Sequence, residues 1–120
     1  MQTKAMSVHE LYEQGFQARC DGKYGYAKLM FESVLGQEPD HADAKWQMGL
    51  IQGFEGDFDG SLATLQNVVA ANPKHIDALY DLGMTQMMLG MDEEACMNFH
   101  KVLSLNPDHE KAKQQIAYCG

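Results

Sequence analysis

The side chains of this chain that could do chemistry are suited to non-covalent capture. Tyr12 and Phe16, then Trp46, Leu50 and Phe54, then Tyr80, Met84 and Met87 follow one another in steps of three or four. That spacing puts each set on one face of a helix. Aromatic rings and unbranched methionines suit a surface that adapts to a partner. Polar groups accompany them in register. Glu13, Gln47 and Asp81 each follow a leading aromatic by one position, and Asp43 and Asp77 precede Trp46 and Tyr80 by three. An apolar trough flanked by acids favours an apolar segment that carries Lys or Arg. Packing between neighbouring helices would also account for the rings, and an ordinary solvated face for the acids.

Covalent and metal chemistry find less support. His41, His75 and His109 stand 34 residues apart, just after prolines. If they sit at equivalent places in successive units, about 10 Å or more separates them, too far to share an ion that needs ligands at about 2 Å. Helix-start residues are the better explanation. Cys96 and His100 are one turn apart on a helix, but two ligands do not make a site. Met84, Met87, Met88 and Met91 have soft sulfur, yet their helical spacing points to packing or peptide contact. No Ser/His/Asp or Cys/His constellation, GxGxxG or GxxxxGK[ST] stands in the chain. The expectation is no catalytic residue, no metal, no cofactor and no enzymatic activity.

Charge narrows the partner. Seventeen acids against nine bases give a net charge of −8, the wrong sign for a phosphate backbone, so no nucleic acid is expected. No apolar run approaches the ~20 residues that span a bilayer, so no membrane partner is expected either. MQTKAMSVHE shows neither an apolar segment nor a small-residue cleavage site. Cys20, Cys96 and Cys119 are widely spaced without a C-x-x-C and read as reduced thiols. Together these predict a cytoplasmic protein.

The elements that must position the trough follow from a repeat. Pro39, Pro73 and Pro107 are 34 residues apart, and the same step links Gly15, Gly49 and Gly83, then Gly22, Gly56 and Gly90. It also links Ala27, Ser61 and Ala95, and Phe31, Leu65 and Phe99. Each period reads as two helices split by a glycine stop and closed by proline. Ser7 and Glu10 form a capping box for the first helix, and Asp92 is expected to cap the sixth. Glycines 15, 49 and 83 fall mid-helix, where each costs about 1 kcal/mol relative to Ala. Close approach of the partner helix at Ala27, Ser61 and Ala95 would explain them. After Pro107 one helix remains, with a narrow apolar face of Ala112, Ile116 and Ala117, as an end cap requires.

This period and these anchors resemble the tetratricopeptide repeat. The resemblance implies an all-α, right-handed superhelical solenoid of antiparallel helix pairs, about seven helices in one domain over 1–120. Its repeats would cover about 8–41, 42–75 and 76–109, with a capping helix over about 110–119. It also implies a concave groove lined by the first helices, where such scaffolds bind an extended or helical peptide. Tyr12, Phe16, Trp46, Leu50, Phe54, Tyr80, Met84 and Met87 fall on the groove positions, with Glu13, Asp43, Gln47, Asp77 and Asp81 as selecting polar groups. Family members that grip the carboxylate tail of heat-shock chaperones use Lys, Asn and Arg on the first helices. Here Tyr12 and Phe16, Gln47, and Asp77 and Asp81 stand at those places, so that partner is not expected. Two other roles stay open: a bacterial secretion-type chaperone shielding an apolar client segment, and a structural module that self-assembles as a homo-oligomer.

Overall fold

The computed structural model describes residues 5–119; Met1–Lys4 and Gly120, which the domain reading over 1–120 takes in, lie outside the described residues. Seven helices follow one another, with no strand among the described residues: α1 (Val8–Cys20), α2 (Tyr24–Gln37), α3 (Ala42–Phe54), α4 (Phe58–Ala71), α5 (Ile76–Met88), α6 (Asp92–Leu105) and α7 (Glu110–Ile116). Consecutive pairs form three hairpins that stack with α7 into an elongated body of 63 × 27 × 22 Å. No helix of the described residues is long and apolar enough to cross a membrane.

The helix starts explain the period. Ser7 and Glu10 close the expected capping box. His41, His75 and His109 are the N-caps of α3, α5 and α7, each Nδ1 accepting the backbone N–H of Ala44, Ala78 or Ala112 at 3.0–3.1 Å. An accepting Nδ1 puts the neutral ring's proton on Nε2, and in His75 that N–H donates to Asp43 at 2.7 Å. Asp57 caps α4 through Gly60. Asp92 is not the cap of α6: Met91 holds that position without a side-chain bond, and Asp92, Glu93 and Glu94 fill the first turn, where the helix dipole favours acids. Each hairpin turns through a glycine at positive φ, Gly22, Gly56 or Gly90.

Within the hairpins, the mid-helix glycines seat large side chains, which corrects the expected contact. A Cβ on Gly15 would lie 2.7 Å from the Phe31 ring, one on Gly83 2.7 Å from the Phe99 ring, and one on Gly49 2.9 Å from Leu65. The glycine therefore opens a socket for the bulky residue four positions beyond Ala27, Ser61 or Ala95. Phe31, Leu65 and Phe99 fill those sockets and are fully buried. Ser61 makes a second contact there, its hydroxyl donating to the Gly49 carbonyl at 2.8 Å.

The cysteines differ from expectation as well. Cys96 and Cys119 form a disulfide, and Cys20 alone is an exposed thiol. The turn at Pro107 returns the chain across α6, so the end of α7 arrives beside the first turns of α6, a proximity that a separation of 23 residues does not reveal. The pairing removes the argument from reduced thiols for a reducing compartment. It also takes Cys96 out of any metal pair with His100.

Candidate functional site

The leading aromatics of the first helices sit half-buried between hairpins, each against the histidine cap of the next. Tyr12 packs on Phe31 and His41 at 5.5 and 5.4 Å, Trp46 on His75 at 5.6 Å, and Tyr80 on Phe99 and His109 at 5.8 and 5.3 Å. Their polar tips reach a residue 35 positions on. Gln47 Nε2 donates to the Tyr12 hydroxyl at 3.0 Å, and the Trp46 indole N–H donates to Asp81 Oδ2 at 2.7 Å. Burial pushes the Tyr12 and Tyr80 hydroxyls up from their usual range; Asp81 also raises Tyr80, and a hydrogen bond from Gln115 opposes it. These three rings join repeats, and only part of each faces solvent.

One expected groove residue is withdrawn. Gln47 is fully buried, at 0% exposure, and cannot meet a partner. It lies one position beyond Trp46, which turns it into the joint between α1 and α3, where Tyr12 fixes it. Glu13, Asp43 and Asp77 are exposed, with Asp43 bonded to His75. Phe16 is 39% exposed, but the Arg19 guanidinium lies 5.1 Å over its ring, a cation–π cover. Met87 is half-buried and lies outside the pocket that gathers its neighbours.

That pocket, of about 310 Å³, lies between α3, α4 and α5. It brings together five of the expected residues: Leu50, Phe54, Tyr80, Asp81 and Met84. Gly53, Phe58, Ser61, Leu65, Thr85 and Met88 complete it. Phe58, Ser61 and Leu65 come from a second helix, which a stripe read along first helices alone does not include. Thr85 could have been found from its polarity beside Met84. Phe54 is 53% exposed and stacks on Tyr24 at 5.8 Å, so the pocket has an aromatic rim. Asp81 stands in its wall. Burial is the largest influence on Asp81 and pushes its carboxyl up; the Trp46 bond opposes this, and Asp77 adds to it. The site can hold an apolar side chain and present one carboxylate to it. Among the described residues no group of three or more His, Cys, Asp or Glu is placed to hold a metal ion.

The tetratricopeptide-repeat family model matches residues 77–109, the third hairpin. No curated protein matches the sequence. Among solved structures, the first TPR of Spaghetti (RPAP3), bound to the HSP90 peptide SRMEEVD, superposes with a TM-score of 0.86. Its identity is 20%, over 97% of this chain and 92% of that one. MamA from Desulfovibrio magneticus RS-1, residues 41 to the end, gives 0.79 at 27% identity, over 93% and 63%. YrrB, a TPR protein with an unusual peptide-binding site, gives 0.78 at 23% identity, over 92% and 57%. The chain thus spans less than two thirds of the MamA and YrrB chains. The third hairpin thus matches the tetratricopeptide-repeat model, and the whole chain has the fold of tetratricopeptide-repeat proteins, three helical hairpins followed by a capping helix. The fold generally serves as a protein–protein interaction module and is typically non-catalytic.

Proposed function

We propose that the chain is a non-catalytic binding module that takes an extended or helical segment of a partner protein along its first helices and favours apolar, basic sequences. The observation that carries this is the pocket between α3, α4 and α5. It is lined by Leu50, Phe54, Tyr80, Met84 and Met88 and contains one carboxylate, Asp81. An apolar cleft of a few hundred Å³ with a few polar groups, here one of them charged, is the ordinary form of a side-chain recognition site. Asp77 lies near enough to act on Asp81, Glu13 and Asp43 are exposed on α1 and α3, and the chain is acidic overall, which steers basic segments toward it.

The test is selection from a displayed library of random, tryptophan-free peptides against the whole protein. Selected peptides are expected to lose binding about tenfold or more to Leu50→Lys or Met84→Lys, as anchor loss in a desolvated pocket requires. They should keep it with Leu29→Lys on α2, which lies outside the pocket. Peptides indifferent to position 50 and position 84 would sink the reading.

A further inference from the structure

Tyr12, Trp46 and Tyr80 each meet one polar side chain in the same register: Gln47, Asp81 and Gln115. The structural task at these positions is a single hydrogen bond to the ring's polar tip. A neutral amide performs it at Gln47, and the residue in register beside Tyr80, Gln115, is a neutral amide as well. Asparagine at position 81 would offer the Trp46 indole the same acceptor. Only the middle position carries a charge, and it is the one that lies in the apolar pocket. Burial raises the cost of holding that charge, as the upward push on the Asp81 carboxyl shows. No Lys, Arg or His among the described residues forms an ion pair with it; Lys111 and Arg19 act on it only from a distance, and burial outweighs both. A costly charge where a neutral group would serve the fold marks a ligand-binding position.

We propose that this pocket reads one lysine side chain of the bound segment, an inference that rests on the binding function above. The four-carbon stem lies against Leu50, Phe54 and Met84, and the ammonium meets Asp81. Lysine is favoured over arginine by the geometry of the carboxylate. Oδ2 already accepts from Trp46 at 2.7 Å, and no donor among the described residues bonds Oδ1. A guanidinium fork gains most when it engages both oxygens, whereas an ammonium is a point charge that needs one. An apolar ligand alone would desolvate Asp81 further with no cation to meet its charge, so the pocket selects against it.

Trp46 is the only tryptophan and touches the carboxylate, so its emission reports occupancy directly. The experiment takes the selected peptides that require Leu50 and titrates each into the wild-type protein with Trp46 fluorescence. Each lysine is then replaced in turn by norleucine and by arginine. One lysine position should lose about tenfold or more in affinity on replacement by norleucine, the scale of a hydrogen bond between charged groups. The arginine peptide should fall between the two. Asp81→Asn should weaken the lysine peptide about tenfold and bind the norleucine peptide at least as tightly as the wild type does. If Leu50-dependent peptides bind equally well with norleucine, the lysine inference is overturned and the groove function stands. If no selected peptide depends on Leu50, both are overturned. The peptide substitutions leave the protein untouched, so a misfolded Asp81→Asn variant could not decide the outcome.

Discussion

Two joints between hairpins use one device and have come to different ends. At the first, Tyr12 meets Gln47, and the amide is sealed from water with its carbonyl oxygen unpartnered. At the second, Trp46 meets Asp81, half-buried at the edge of an open pocket. At the first joint the far residue is an uncharged amide, and Arg19 covers the neighbouring Phe16. The second keeps a charged oxygen accessible among apolar side chains. The repeat thus places a hydrogen bond in the same register twice, donated by the far amide at the first joint and by the near indole at the second, and only the second far residue carries a charge.

The comparison breaks most visibly if the charge is moved. Gln47→Asp places a carboxylate where no solvent reaches, and stability at neutral pH should fall by about 3–5 kcal/mol, measured by urea unfolding. A loss below about 1 kcal/mol would mean that the first joint tolerates charge as the second does. A middle-sized effect separates the hairpins themselves. Gly83→Ala drives a methyl into the flat ring of Phe99 and should cost about 1–2 kcal/mol. Gly49→Ala meets the flexible Leu65, and the better helix propensity of Ala, about 1 kcal/mol, should nearly cancel the crowding. Equal losses at both would show that the sockets do not differ. The smallest change sharpens the contrast. Asp81→Asn keeps the indole's acceptor and should leave the wild-type fold intact. Because burial raises the Asp81 carboxyl in the folded state, its stabilising contribution is full below its unfolded titration range and is lost as pH rises through the folded one. The wild type should therefore lose stability relative to Asp81→Asn from acid to neutral pH. Urea midpoints of the pair at several pH values test this, and a gap that widens toward acid would contradict it.

Much of the fold was legible because the period repeats its punctuation. The two helices expected in each period, split by a glycine and closed by proline, are α1 to α6, and the histidines expected at helix starts are caps. What escaped depends on direction in space. Gln47 follows Trp46 by one position, and a rotation of one residue on a helix separates groove from joint. The sockets at Gly15, Gly49 and Gly83 depend on which residue of the opposite helix arrives, a matter of hairpin stagger that composition does not encode. Met91 at the cap of α6, rather than Asp92, is a boundary shift of one residue. The Cys96–Cys119 pairing follows from α7 folding back, which spacing alone cannot show.

A stack whose units touch only their neighbours opens from its ends, and here the ends are unequal. α7 is only seven residues long, with Ala112 its one buried residue, yet it is covalently tied to α6. The opposite end has only non-covalent ties: the capping box, the packing of α1 and α2, and the Tyr12–Gln47 and Lys28–Glu55 contacts to the next hairpin. The molecule therefore has a polarity of unravelling. It yields first at the first hairpin, and the two hairpins that form the pocket lie on the anchored side.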